Sequence, residues 1–156
     1  MPALKCFALL GVLGAAAPGA PRAVTQPPAE KLFAANAVSC TFTTMATGTW
    51  NSGIAAAEIK PSKFSMGFDQ IDADQGTARV IGAFGPSDII VRFSIGTLHF
   101  VQAFREGPLY ATTIFPQISK DGKFKAVHTR HEYTEVRLPG FTSRPEQYYG
   151  ECEITR

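Results

Sequence analysis

Few residues in this chain have the types and spacing to do chemistry, and the histidines come first. His128-Thr129-Arg130-His131-Glu132 sets two imidazoles three positions apart with a carboxylate beside them. On a helix that spacing puts both rings on one face, as zinc sites use. Phe124, Ala126 and the Asp121-Gly122 turn just upstream predict a strand instead. On a strand, positions i and i+3 face opposite ways, so the pair breaks unless a bulge intervenes. A metal would then need His99 from another strand. Polar strand residues bonded to their neighbours are the simpler reading, and no metal ligand is assigned.

Asp69, Asp72, Asp74 and Gly76 gather oxygen ligands near a turn. An EF-hand loop needs an oxygen ligand at position five and Gly at six. Counted from Asp72, those places hold Gly76 and Thr77, so the motif fails. Asp-rich turns also arise because these side chains bond their own backbone. There is no G-x-S-x-G elbow, no phosphate-binding loop and no G-x-G-x-x-G. A Ser or Thr beside His99 or His128 would have to be brought together by the fold. No catalytic residue and no cofactor is assigned.

Binding chemistry is better represented. Trp50 lies in Gly48-Thr49-Trp50-Asn51-Ser52-Gly53, where it would anchor a partner or a small apolar ligand, or else plug a barrel end. Lys120, Lys123, Lys125, Arg130, Arg137 and Arg144 interleave with Tyr110, Phe124, Tyr133, Phe141, Tyr148 and Tyr149. Such a mixture stacks bases and holds phosphates. However, the net charge is only +2, too small to imply nucleic acid. Acidic glycans, lipid headgroups or an anionic protein are the alternatives, and a plain solvated face is another. Trp50, His99, His128 and Arg130 are the candidate ligand-binding residues.

The elements that must position them read as strands. Apolar residues alternate at Cys40, Phe42 and Thr44, and at Phe64, Met66 and Phe68. They alternate again at Ile89, Val91, Phe93 and Ile95, and at Leu98, Phe100, Gln102 and Phe104. Leu109, Ala111, Thr113 and Phe115 form another such face, as do Tyr148, Gly150, Cys152 and Ile154. Turn residues fall between at Asp74-Gln75-Gly76, Gly85-Pro86-Ser87-Asp88, Glu106-Gly107-Pro108 and Asp121-Gly122. An Asp-Gly hairpin of two residues asks for positive φ at both. Ala55-Ala56-Ala57 is ambiguous between helix and strand. The expected fold is all-β: one antiparallel meander of about 8–9 strands, closed or nearly closed as a barrel, with a β-sandwich as the alternative. An outer-membrane barrel shares this meander. It needs strands of about ten residues and aromatic girdles, and the runs here look shorter.

The chain has 156 residues, 45% hydrophobic and 18% charged, which fits one domain with an appendage and argues against wholesale disorder. Met1 to Lys5 is a short basic stretch, Cys6 to Ala17 is apolar, and small residues follow to Ala23. That order predicts a secretory signal over 1–20, too short to span a bilayer. Residues 21–37, with Pro21, Pro27 and Pro28, predict a Pro/Ala-rich tether, with a turn or two of helix within Glu30 to Ala37. The β-domain then covers 38–156. No other segment is long enough to be a transmembrane helix.

Cleavage would remove Cys6 and leave Cys40 and Cys152 as an even pair in an oxidising compartment, where a disulfide is expected. If they lie on the first and last strands, the bond closes the sheet and removes its exposed edges. Pro145-Glu146-Gln147-Tyr148-Tyr149-Gly150-Glu151-Cys152 resembles the ending of small uncharacterised secreted bacterial β-domain proteins. In those, a Tyr-Tyr-Gly-x-Cys segment lies near the C-terminus with an earlier Cys upstream. That resemblance implies no activity. The reading is a secreted or periplasmic, non-catalytic module for a small apolar ligand or a partner protein. A His-dependent metallo- or hydrolytic enzyme and a structural or inhibitor protein are the alternatives.

Overall fold

The computed structural model describes residues 26–82, 85–105, 107–133 and 142–155. The expected signal over 1–20, the first part of the tether, and Arg137 and Phe141 lie outside them. The order of elements is α1 (Pro28–Phe33), β1 (Ala37–Asn51), β2 (Ile54–Asp72), β3 (Thr77–Gly82), β4 (Gly85–Ser94), β5 (Thr97–Ala103), β6 (Leu109–Ile118), β7 (Phe124–His131) and β8 (Glu146–Thr155). Every strand pairs antiparallel with the next, and β8 returns to β1, so the meander closes. The ring is uneven, because β1 and β2 are 15 and 19 residues long. They are longer than their sequence patterns suggested. Ala55-Ala56-Ala57 is strand, paired with Trp50, Thr49 and Gly48.

Alternation puts the apolar residues inside. Val38, Cys40, Phe42, Phe68, Val80, Val91, Leu98, Phe100, Ile114, Phe124 and Cys152 form one buried cluster. Phe68 and Phe100 stack at 3.9 Å between ring centroids. Charged pairs such as Arg79–Asp69, at 2.8 Å, lie on the opposite face of the same strands. The seam between first and last strand is bonded covalently. Cys40 stands directly opposite Cys152 in the β1–β8 register, with Cα atoms 4.0 Å apart, and the two form a disulfide.

Three expected faces are corrected. The register shifts between Phe42 and Thr44, which turns Met45 rather than Thr44 toward the core. On β6 the buried residues are Thr112 and Ile114, not the Leu109, Ala111, Thr113 and Phe115 face. Both faces of that strand hold apolar side chains, so alternation alone does not choose between them. Ile95 does not continue the β4 face. It occupies a two-residue hairpin turn with Gly96, at φ 50° and 77°, and is 99% exposed.

The Asp121-Gly122 turn is also longer than a two-residue hairpin. Only Gly122 has positive φ, and Ser119 N–H donates to Lys123 O at 2.7 Å around a three-residue loop. Gly85 to Asp88 belong to β4 rather than to a turn.

The turn or two of helix expected within Glu30 to Ala37 is present as α1, but from residue 28 onward the chain packs on the domain and is no free tether. Pro28 opens α1 at a position where its missing N–H costs nothing. Leu32 is 0% exposed and joins the barrel core, and Phe33 meets Phe93 edge-on at 5.1 Å. Ile71 N–H donates to Asn36 O at 3.0 Å, tying the following residues to β2. Helix α1 therefore seals the barrel end that carries the β2–β3, β4–β5 and β6–β7 turns. The opposite end, beside the β1–β2 turn, is the mouth.

Candidate functional site

Positions 128, 130 and 132 alternate on β7 and just beyond it, so all three face inward toward the mouth. His128 is deepest. Arg130 is a donor only, so the 3.4 Å contact from its Nε fixes His128 Nε2 as the acceptor. The proton then sits on Nδ1, which donates to Thr112 Oγ1 at 2.8 Å. Thr112 in turn donates to Met66 Sδ at 3.8 Å. Burial, and after it the Arg130 charge, pulls the His128 imidazole down from 6.5 to about 3. Both ring nitrogens are engaged, and the ring is neutral at ordinary pH.

Above it, the Arg130 guanidinium stands over three rings contributed by separate strands. Its central carbon is 4.7 Å from the Phe64 centroid, 5.3 Å from Tyr110 and 5.4 Å from Tyr148. A cation over aromatic faces is favourable by about 0.5–2 kcal/mol, depending on desolvation. Tyr110 O–H donates to Glu132 at 3.0 Å, and Tyr148 O–H donates to Glu146. Burial and then the Glu132 hydrogen bond push the Tyr110 hydroxyl up to about 12. Burial and the Glu146 bond push Tyr148 up as well. Glu132 also accepts from Thr142 N–H at 2.7 Å, while its Oε2 has no hydrogen-bond partner among the described residues.

The four candidate residues are thus only partly brought together. His128 and Arg130 touch. His99 faces outward on β5, where its Nδ1 lies 3.1 Å from Thr113 Oγ1, away from His128. Trp50 is strand rather than loop, next to the Ser52-Gly53 hairpin turn, and meets Tyr133 edge-on at 5.9 Å on the outer side of the mouth. Among the described residues, no group of three or more His, Cys, Asp or Glu is arranged to hold a metal ion. The Asp cluster is spent locally: Asp72 accepts from Gln75 N–H at 2.8 Å and Asp69 pairs with Arg79.

Sequence reasoning missed Thr112 and Glu146, read Phe64 only as a strand-face residue, and named Tyr110 and Glu132 without joining them to this cluster. Alternation puts Phe64 and Tyr148 each on an apolar strand face, but only the cross-strand register unites them around Arg130. The interior below this cluster is packed. The void among Met66, Phe68, Val80, Ile89, Phe100, Gln102, Tyr110 and Thr112 is about 10 Å³. At the rim, a groove of about 270 Å³ opens between Gly48, Ala57, Thr129, Arg130, Pro145 and Gln147.

Gly150 explains part of the Tyr-Tyr-Gly-x-Cys segment. A Cβ there would lie 2.0 Å from Thr41 O and 2.6 Å from Phe42 Cα, so only glycine lets β1 and β8 approach at the register shift. Tyr148 frames Arg130 and Cys152 forms the disulfide, so three residues of the segment each have a structural task.

Among the described residues, fold and site together define a closed, eight-stranded antiparallel meander with a filled interior, one end sealed by a helix and the other by an Arg–aromatic cluster. No family model, curated protein or solved structure matches this chain.

Proposed function

We propose that the mature chain is an extracytoplasmic, non-catalytic binding module that docks a partner protein on its mouth-end hairpin. The observation that carries this reading is a contrast between interior and rim. A void of about 10 Å³ holds at most one water, whereas small-ligand sites run to about 300–1,000 Å³. At the rim, Trp50, Ile54, Ile59 and Tyr133 are 54%, 72%, 76% and 61% exposed, apolar side chains gathered on and beside one projecting hairpin. The packed barrel is then a scaffold, with the Arg130 cluster bracing the strands from which the hairpin projects.

Export fits the same reading. The Cys40–Cys152 bond supports an oxidising compartment, and no helix among the described residues is long and apolar enough to cross a membrane. The experiment is site-specific photo-crosslinking of the full chain expressed in its own host. A benzophenone side chain replacing Ile59 should give a discrete adduct in the exported fraction. The same side chain replacing Ile95, at the helix-sealed end, should give none, and adding Trp50→Ala should weaken the Ile59 adduct. Equal labelling from both ends, or a small molecule copurifying with a chain that forms no adduct, would overturn the reading.

A further inference from the structure

Strand β2 continues well past the end of its neighbour. The β2–β3 pairing runs from Asp72 to Gly67, opposite Thr77 to Ile81, and β3 ends at Gly82. From Ile54 to Phe64, β2 has β1 on one side and, among the described residues, no strand on the other. Among the described residues this is the longest half-paired run in a ring that is otherwise closed. Unpaired N–H and C=O groups along such an edge recruit another strand.

We propose that the occupant is a second copy of this chain, with β2 paired antiparallel to β2 about a twofold axis at Ile59. This rests on the reading of the mouth-end hairpin as a protein-docking surface, and names the partner. A twofold interface must be complementary to itself. The sequence Ala57-Glu58-Ile59-Lys60-Pro61 has that property, with opposite charges placed symmetrically about one apolar residue. Centred on Ile59, Glu58 stands opposite the partner's Lys60, and Lys60 opposite the partner's Glu58. Directly opposed side chains share a face, so both ion pairs lie together on one side of the joined sheet. Within one chain Glu58 and Lys60 already pair at 2.8 Å with both side chains exposed, so they are free to exchange partners.

The charges also choose the register. Moving the axis to Lys60 sets Lys60 against the partner's Lys60, and moving it to Glu58 sets Glu58 against the partner's Glu58. Both are repulsive. On the other face, Ile59 meets the partner's Ile59, in line with Ala46, which pairs with it across β1. Ala57, Ala55 and Trp50 follow on that face, so the twofold axis would join two apolar strips into one. Pro61 and Lys63 belong to the usual defences of an edge against indiscriminate pairing. They leave the matched register favoured.

The test is a charge exchange read by native mass spectrometry and by sedimentation across a concentration series, on the disulfide-bonded mature chain. The unaltered chain should dimerise. Glu58→Lys and Lys60→Glu should each weaken self-association by about tenfold or more, because each sets like charges together twice. An equimolar mixture of the two variants should recover association as a heterodimer. Unchanged circular dichroism and melting of each variant keep the result from being a folding defect. A chain that stays monomeric, while the benzophenone at position 59 captures a different protein, overturns the dimer and leaves the docking surface standing. Monomers with no adduct overturn both. Dimers indifferent to both charge changes overturn the β2 pairing.

Discussion

His128 is held neutral by the same packing that orders the mouth, and this gives it a measurable titration. The unfolded chain takes up a proton near 6.5, whereas the folded ring resists until about 3. Between those values the unfolded state binds more protons, so stability is complete above about pH 6.5 and falls as pH drops toward 3. The loss attributable to His128 should be about 2 kcal/mol by about pH 5. Urea unfolding across that range measures it, and His128→Gln should flatten this segment of the profile, whatever it does to absolute stability. A histidine doing metal or nucleophile chemistry would keep a ring nitrogen available. Here Thr112 and Arg130 engage both. The His128–Arg130 neighbourhood was legible in the sequence because alternate residues of one strand share a face. Its frame was not. Phe64, Tyr110 and Tyr148 come from three strands, and what unites them is register, which a period of two does not encode.

Turns and short elements carried the least information. Ile95 extended an apolar alternation and was assigned to a strand, yet it occupies a turn position that favours Asn or Gly. A β-branched residue in the left-handed region is strained by about 1–2 kcal/mol, and at 99% exposure Ile95 regains little by packing. Ile95→Asn should therefore raise stability by about 1 kcal/mol, visible as a higher melting temperature. Helix α1 was legible only as a turn or two within Glu30 to Ala37, and its docking on the core was not. Six residues are too few to show a stripe, and Pro28 beside Pro27 reads as extended chain. Leu32 is the helix residue buried in the core, while Phe33 only meets Phe93 at its edge. Leu32→Ala should cost about 2–5 kcal/mol, which chemical denaturation would register. A tether residue at that position would give almost no change. Bulges were equally silent: one register shift after Phe42 exchanges the faces of Thr44 and Met45.

Over the whole molecule the sequence was at its most readable. Alternating runs with turn residues between them predicted an antiparallel meander, and two cysteines expected on its first and last strands favoured a closed sheet over the β-sandwich alternative. Replacing Cys40 or Cys152 by Ser should lower stability by about 2–5 kcal/mol in denaturant titrations of the mature chain. What alternation does not reveal is how evenly the ring closes. β2 outruns β3, which ends at Gly82, and the β1–β2 hairpin that projects past it offers both an exposed apolar rim and an unpaired strand edge.

The covalent seam also decides how this domain bears load. Ala37 and Thr155 are paired beside the sealed end, so the chain enters and leaves the barrel at the same place. Tension applied through those two points runs along Val38 and Ser39, crosses the sulfur bridge, and departs through Glu153 and Ile154. The segment between the cysteines, spanning 112 positions, lies outside that path. In an optical trap the oxidised protein should yield only the few residues flanking the bridge and then stiffen with the barrel intact. Under reductant the same pull should unravel the whole sheet, beginning where β1 parts from β8.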